Sequence, residues 1–180
     1  MFGFYEPDYG CPSSSNIAPA DATIAWNTYI APLAADTILG SPSMAKQKDE
    51  KWLTPFSVNS DTGASLLDAP WNVTSIHINK LDLTGVQADV EYYVAKYKKP
   101  VWVSEFACVN DTNGFTPCTD QTVINDFLTS VVPWLQANES VVAYGPSNGE
   151  GLGTVWPLLN NVTGDLTATG TTYLNILQGL

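Results

Sequence analysis

LTGVQADVEYYVAKYKKPVWVSEFA, residues 83–107, changes its hydrophobic period midway, from that of a helix to that of a strand. Val86, Val90, Tyr93, Val94 and Tyr97 recur at helical spacing on one face, and the lysines gather in the last turn, where the helix dipole favours cations. Pro100 then opens a run dense in β-forming residues that ends at Glu105. The same alternation continues on both sides. Downstream, DQTVINDFLTSVVPWLQ (120–136) aligns Val123, Phe127, Val131 and Leu135 as a helix that Pro133 is expected to kink. VVAYGP (141–146) reads as a strand, and GDLTATGTTYLNILQ (164–178) as a glycine turn leading into a terminal helix. Upstream, VTSIHI (73–78) is β-rich, and NSDTGASLLDAP (59–70) is loop. KDEKWLTPF (48–56) is a short helix or turn broken by Pro55, and TILGSP (37–42) a short strand. SSSNIAPADATIAWNTYIAPLAA (13–35) carries Ala22, Trp26, Ile30 and Leu33 at helical spacing behind Pro19, and FGFY (2–5) opens the chain as a strand. Five strands alternating with five helical segments predict an α/β fold of parallel βα units, as a layer or a barrel, in one domain over residues 1–180.

The 180 residues are 44% hydrophobic and 14% charged, a composition that folds. The net charge of -11 leaves little positive surface for phosphates or anionic lipid, which argues against nucleic-acid and membrane-surface roles and for a neutral or cationic ligand. No stretch is long enough to span a bilayer, and the first residues lack the basic and apolar regions of a signal peptide. Eight Tyr, six Trp and six Phe supply faces able to stack on sugar rings, although most aromatics in any domain are core. His77, the one histidine, has no zinc-ligand spacing to Cys11, Cys108 or Cys118, so no metal site is expected. Cys108 and Cys118 flank the loop VNDTNGFTP, whose ends a disulfide would tie, leaving Cys11 without an obvious mate. Sequons at Asn72, Asn110, Asn138 and Asn161 lean toward secretion. The lysines within 46–51 and 96–99 read as solvated helix ends.

In parallel α/β folds functional groups collect at the carboxyl ends of strands. Two strands here end in glutamate, Glu6 after FGFY and Glu105 after VWVS. Side chains alternate along a strand, so Glu105 shares the face of Val103 and Val101, while Trp102 has the opposite parity and is expected in the core. Either glutamate alone is more readily a solvated strand end or a cap than a functional group; it is the coincidence of two that points to function. Paired carboxyl groups are the equipment of glycoside hydrolysis, one protonating the leaving oxygen and the other attacking the anomeric carbon or activating water, and a separation of about 5 Å implies the retaining route. A Ser or Cys triad has only His77 to use, and neither a G-x-S-x-G elbow nor a Gly-rich phosphate loop is present.

FGFYEPD, SN followed by AW-x-x-YIAPL, LGSP, W-L-x-x-F, SIHI, KKPVWVSEFA and GDLTATGTTYL occur in the order found in the fungal Asl1-like glycosyl hydrolases, glycoside hydrolase family 128. The chain resembles that family over essentially its whole length. The resemblance implies a compact (β/α)8 barrel acting on β-1,3-glucan with retention, without a cofactor, outside the cell or in its wall. It makes Glu6 the acid/base on the fourth strand and Glu105 the nucleophile on the seventh. The five strands then stand for the fourth to the eighth, so the chain reads as a barrel whose first three βα units are missing, with open sheet edges and low stability expected of it alone. Three positions depart from the pattern. Tyr5 stands where an asparagine usually precedes the acid/base, His77-Ile78-Asn79 stands for His-Trp-Tyr, and a cysteine pair before that strand is missing. The resemblance makes Tyr5, His77 and Asn79 substrate-binding positions, while the place of Tyr144 and Trp156, at and after the last strand, suits them to stack glucosyl rings. His77 is equally readable as a strand-end histidine bonded to a neighbouring loop. The competing function is a glucan-binding or cell-wall protein in which the changes at positions 5, 78 and 79 reflect lost chemistry.

Overall fold

A computed structural model describes residues 1–10, 12, 14–45, 50–147 and 151–180. Cys11, which has no obvious mate in the sequence, and the lysines at 46 and 48, which read as part of a solvated helix end, lie outside them. The fold is α/β with parallel strand pairing, and the chain packs as two compact units.

The first unit comprises Met1–His77 and Tyr92–Trp102. FGFY and TILGSP are paired extended segments, as expected, but the pairing is by isolated parallel bridges, Tyr5 to Ser43 and Gly40 to Val73. The Gly3 N–H donates to the Gly40 carbonyl at 3.0 Å and the Gly40 N–H to that of Met1 at 2.8 Å. Gly3 permits this approach, since a Cβ there would meet the Pro42 nitrogen at 2.7 Å. The helix expected as one segment is three. α1 (Pro19–Ala25) passes into a π-turn over Trp26–Ile30 and a 3₁₀ turn over Ala31–Ala35. Pro32 explains the change, because it has no N–H to continue the α ladder and its ring crowds the turn before it. α2 (Glu50–Ser57) contains Pro55 without being broken by it. Only one intrahelical donor is lost so near the helix end, and the Ser57 hydroxyl donates to the Leu53 carbonyl at 2.9 Å. Phe56, fully buried, forms the centre of the core, with ring centroids 5.2 Å from Trp52, 5.6 Å from Trp26, 6.2 Å from Trp71 and 6.4 Å from Phe4. Each indole N–H in this cluster has an acceptor: Trp26 bonds the Ala69 carbonyl, Trp52 that of Ile17, and Trp71 the Thr74 hydroxyl. Buried indoles need such partners. Trp102 is half-buried, its ring 4.2 Å from that of Phe2.

β1 (Thr74–Lys80), α3 (Leu83–Tyr97) and β2 (Val101–Asn110) contain the boundaries between the units. Of the predicted α3 face, Val86, Val90 and Tyr93 are buried, while Val94 and Tyr97 are partly so.

The second unit comprises Ile78–Glu91 and Val103–Leu180. Cys108 and Cys118 are disulfide-bonded, and the Cys118 N–H donates to the Cys108 carbonyl at 3.0 Å. The tie returns the chain as β3 (Thr116–Pro117), a short antiparallel strand on the end of β2 that the sequence did not suggest. α4 (Gln121–Ala137) starts where the Asp120 carboxylate accepts from the Thr122 N–H at 2.7 Å. Pro133 sits inside it, and the buried stripe is Ile124, Phe127, Leu128, Val131, Val132 and Leu135, with Val123 exposed instead of buried. β4 (Val141–Pro146) pairs with β2, which also pairs with β1 and β3. α5 (Ala168–Gln178), capped by the Thr167 hydroxyl, packs on α4 through a Gln121–Thr169 bond of 3.0 Å and a Thr172–Asn125 bond of 3.0 Å. Gly170 is required at its start, since a Cβ would lie 2.1 Å from the Leu158 carbonyl oxygen. Among the described residues no helix is long and apolar enough to cross a membrane.

Candidate functional site

Glu6 follows the first extended segment and is fixed by backbone on both sides. Its N–H donates to the Ser43 carbonyl at 2.9 Å, and its own carbonyl accepts from Tyr9 at 3.1 Å. Ser15 grips the preceding Tyr5 carbonyl twice, through N–H at 2.8 Å and hydroxyl at 2.5 Å. Asp8 accepts from the Ala45 N–H at 2.9 Å, which closes the turn. These bonds hold Glu6 at φ 45°, in the left-handed region. For a long side chain that conformation costs free energy of order 1–3 kcal/mol and is concentrated at functional sites.

The strained residue presents its carboxyl group to His77 on β1. Nδ1 and Oε1 are 3.2 Å apart, with 20% of the glutamate side chain exposed and 2% of the imidazole. An ionised carboxylate only accepts, so Nδ1 carries the proton in that state. The Tyr5 ring, exposed, lies 5.2 Å from the imidazole. Tyr5, Glu6 and His77 are therefore one group within the first unit, and the partner of His77 is the glutamate itself and not only a neighbouring loop.

Glu105 and Asn79 belong to the second unit. Glu105 is half-buried on β2, two residues after the buried Val103. Asn79 is half-buried beside Ile78, which has no exposed surface, so nothing at position 78 can stack on a ligand.

Tyr144 and Trp156 do not stand where the sequence suggested. Phe106 follows Glu105 on the strand and so points to the opposite face. The Tyr144 and Trp156 rings lie 6.5 and 6.3 Å from Phe106, on that opposite face with the helices. Trp156 is fully buried, its indole N–H donating to the Ser147 carbonyl at 2.6 Å. It is core. The Tyr144 hydroxyl donates to Gln136 of α4 at 2.8 Å, in an open groove of about 420 Å³ shared with Tyr173 and Leu177.

That groove has its own titration. Burial, followed by the repulsion of a Tyr144 phenolate, pushes the Tyr173 hydroxyl up to about 12, and burial raises Tyr144 as well. Between pH 10 and about 12 the folded protein holds a proton on Tyr173 that the unfolded chain has released, so stability falls as pH rises through that window. Alkaline difference absorbance is expected to show one late tyrosinate step that Tyr173→Phe removes; an unchanged titration in the variant sinks the assignment.

Lys80 is a feature that the sequence does not announce. At the end of β1 its ammonium contacts Asp111, just past β2, and lies 3.5 Å from the buried Asp89 of α3. Burial alone would lower its pKa, but the bond to Asp111 and the charges of Asp89 and Asp111 raise it overall. The available signal is that Lys80 is the only one of the seven cationic residues outside the two lysine groups.

Glu6 ends its extended segment and is held by a buried imidazole beside an exposed phenol ring, but Glu105 does not end its strand as the sequence suggested, since β2 continues through Phe106–Asn110 to the disulfide-closed loop. The chain belongs to the glycosyl hydrolase catalytic core family, whose model matches residues 1–173, and within it to glycoside hydrolase family 128. It is similar to a subgroup VII oligosaccharide-binding protein from Trichoderma gamsii, at 47% identity and a TM-score of 0.89 over 99% of this chain and 67% of that one. It is also similar to a curdlan-specific exo-β-1,3-glucanase of the family from Blastomyces gilchristii, at 27% identity and 0.67 over 96% and 68%. Among curated proteins it matches alkali-sensitive linkage protein 1 of Schizosaccharomyces pombe, 28% identical over 97% of this chain. The chain spans about a third of that relative, 32% of its length.

Proposed function

We propose that this protein binds β-1,3-glucan oligosaccharides and does not turn them over efficiently. The observation that carries this reading is the Tyr5–Glu6–His77 group. A carboxylate fixed by strained backbone and a buried histidine offers an acceptor to sugar hydroxyls, and the exposed Tyr5 ring beside it offers a stacking face. A net charge of -11 agrees with a neutral ligand. The higher identity to an oligosaccharide-binding protein than to a glucanase supports the same reading. By the family resemblance, hydrolytic machinery would be depleted in two places, where Tyr5 stands for an asparagine and where the buried Ile78 and the half-buried Asn79 stand for two aromatic residues.

The survival of both glutamates favours a second reading, retaining hydrolysis on strands four to eight of a (β/α)8 barrel. Glu105 would attack the anomeric carbon while Glu6 protonates the leaving oxygen and later activates water. Action outside the cell or in its wall goes with either reading.

Calorimetry with laminari-oligosaccharides, paired with mass spectrometry of the same mixtures in H₂¹⁸O, separates the two. The expected result is binding heat without shorter, labelled products. Glu6→Gln should then weaken binding roughly ten- to hundredfold, the worth of a charge-assisted hydrogen bond. Labelled products that vanish in Glu105→Gln would establish hydrolysis instead, and unchanged affinity in Glu6→Gln would remove Glu6 from the site.

A further inference from the structure

The four sequons play no part in the glucan reading, and the fold does not treat them alike. At Asn72 the carboxamide oxygen accepts from the Leu39 N–H at 2.8 Å, and the required hydroxyl residue, Thr74, is fully buried and bonded to Trp71. At Asn110 the side chain accepts from the Thr112 N–H at 3.1 Å, and the middle residue Asp111 is held by Lys80 inside the disulfide-closed loop. Asn138 is half-buried at the end of α4 and accepts from the Ser140 N–H at 2.9 Å.

Asn161 shares its exposure with Asn72 and with the whole Asn110 sequon, and its Thr163 hydroxyl accepts from the Asp165 N–H at 3.3 Å, but its own carboxamide, unlike theirs, is not tied to the backbone of any described residue. It lies at the tip of a hairpin-like loop closed by the Leu159–Leu166 bridge and by the Asn160 N–H to Asp165 carbonyl bond of 2.8 Å. Asn161 and Thr163 are both exposed, and the turn is held by the neighbouring Asn160, whose side chain accepts from Val162 at 2.9 Å and Thr163 at 3.2 Å. Val162 between them is 93% exposed, and Leu159 and Leu166 behind it are 44% and 46% exposed. An apolar cluster at a loop tip is a poor surface for water unless something covers it.

We propose that Asn161 is an N-glycosylation site of the secreted protein, and that its glycan covers Val162 and the two leucines. The donor is a polyprenyl-diphosphate-linked oligosaccharide. The Asn161 carboxamide nitrogen attacks C1 of the first sugar, the new C1–N bond replaces the C1–O bond to the diphosphate, and the lost amide proton passes to the transferase. No oxidant or reductant is needed. Acceptor recognition requires the hydroxyl two residues on, here Thr163. Modification competes with folding, so the exposed sequon whose acceptor carboxamide the fold leaves untied is favoured over Asn110, which is exposed but bonded within its disulfide-closed loop, and Asn72, whose Thr74 is buried, is the least favoured. The Cys108–Cys118 disulfide points to the same oxidising compartment.

The test is to translate the whole chain behind a cleavable leader into microsomes and take the protease-protected fraction. Glycans are read there as endoglycosidase-sensitive gel steps, and sites by enzymatic deglycosylation in H₂¹⁸O followed by peptide mapping. Wild type is expected to label at Asn161 above the other three sequons. Asn161→Gln and Thr163→Val should each remove a step, while Asn72→Gln leaves the pattern unchanged. An unlabelled Asn161 peptide in the protected fraction, or a step count that Asn161→Gln does not alter, overturns the proposal. Neither outcome depends on whether the protein binds glucan.

Discussion

Phe56→Ala is expected to lower stability by about 3–5 kcal/mol, the usual cost of removing a buried aromatic ring that its surroundings cannot close over. Collapse is hindered here because the ring is enclosed by other rigid rings: Trp52 and Trp71 stack against it, and Trp26 and Phe4 meet it edge-on. The three indoles are also tethered through their N–H groups, so none can move into the cavity without breaking a hydrogen bond. A urea titration followed by tryptophan fluorescence should show a large fall in the midpoint with little change in slope. Phe115→Ala, at a ring that is 57% exposed, is the control and should change stability by no more than about 0.5 kcal/mol. A loss below about 1 kcal/mol in Phe56→Ala would mean that the aromatic cluster is not the centre of this unit. The proposed sugar group rests on the same core, since Phe4, two residues before Glu6, packs against Phe56. Binding of laminari-oligosaccharides should therefore fail with folding in this variant, whereas Glu6→Gln should lose affinity at unchanged stability.

What the sequence disclosed depended on the range over which its signals act. α3 and α4 were legible because a buried stripe imposes a 3.6-residue period, although on α4 the stripe lies one residue later than Val123 suggests. FGFY and TILGSP were legible as extended chain, and the spacing of Cys108 and Cys118 made their pairing legible. The π-turn was not, because the effect of Pro32 falls on the residues before it. Strand parity placed Glu105 on the face of Val103, and the same rule applied through Phe106 would have kept Tyr144 and Trp156 off that face. The bond between Glu6 and His77 joins residues 71 apart, and no local period encodes such a contact. Both residues were candidates, but their hydrogen bond was a product of folding alone.

Lys80 illustrates the same limit, and its replacement by methionine is the second change expected to be large. Asp89 has 1% of its side chain exposed and Lys80 only 17%, so the ammonium compensates a carboxylate that water barely reaches. Deleting one member of a buried ion pair costs about 3–5 kcal/mol, most of it from the charge left behind. Asp111 is 43% exposed, so its share of the loss should be under about 1 kcal/mol. Methionine keeps the unbranched stem where Lys80 passes Gly85, so the variant tests charge and not packing. Adding Asp89→Asn should restore a large part of the loss, and Asp111→Asn should not; equal rescue by both would move the compensated charge to the surface. The pH dependence follows from the raised pKa of Lys80, which burial opposes and the two aspartates more than offset. A raised lysine contributes stability that is complete below its ordinary value of 10.5 and disappears as pH climbs through the higher folded value. Wild type should therefore lose stability in that alkaline range, and Lys80→Met should lose less there.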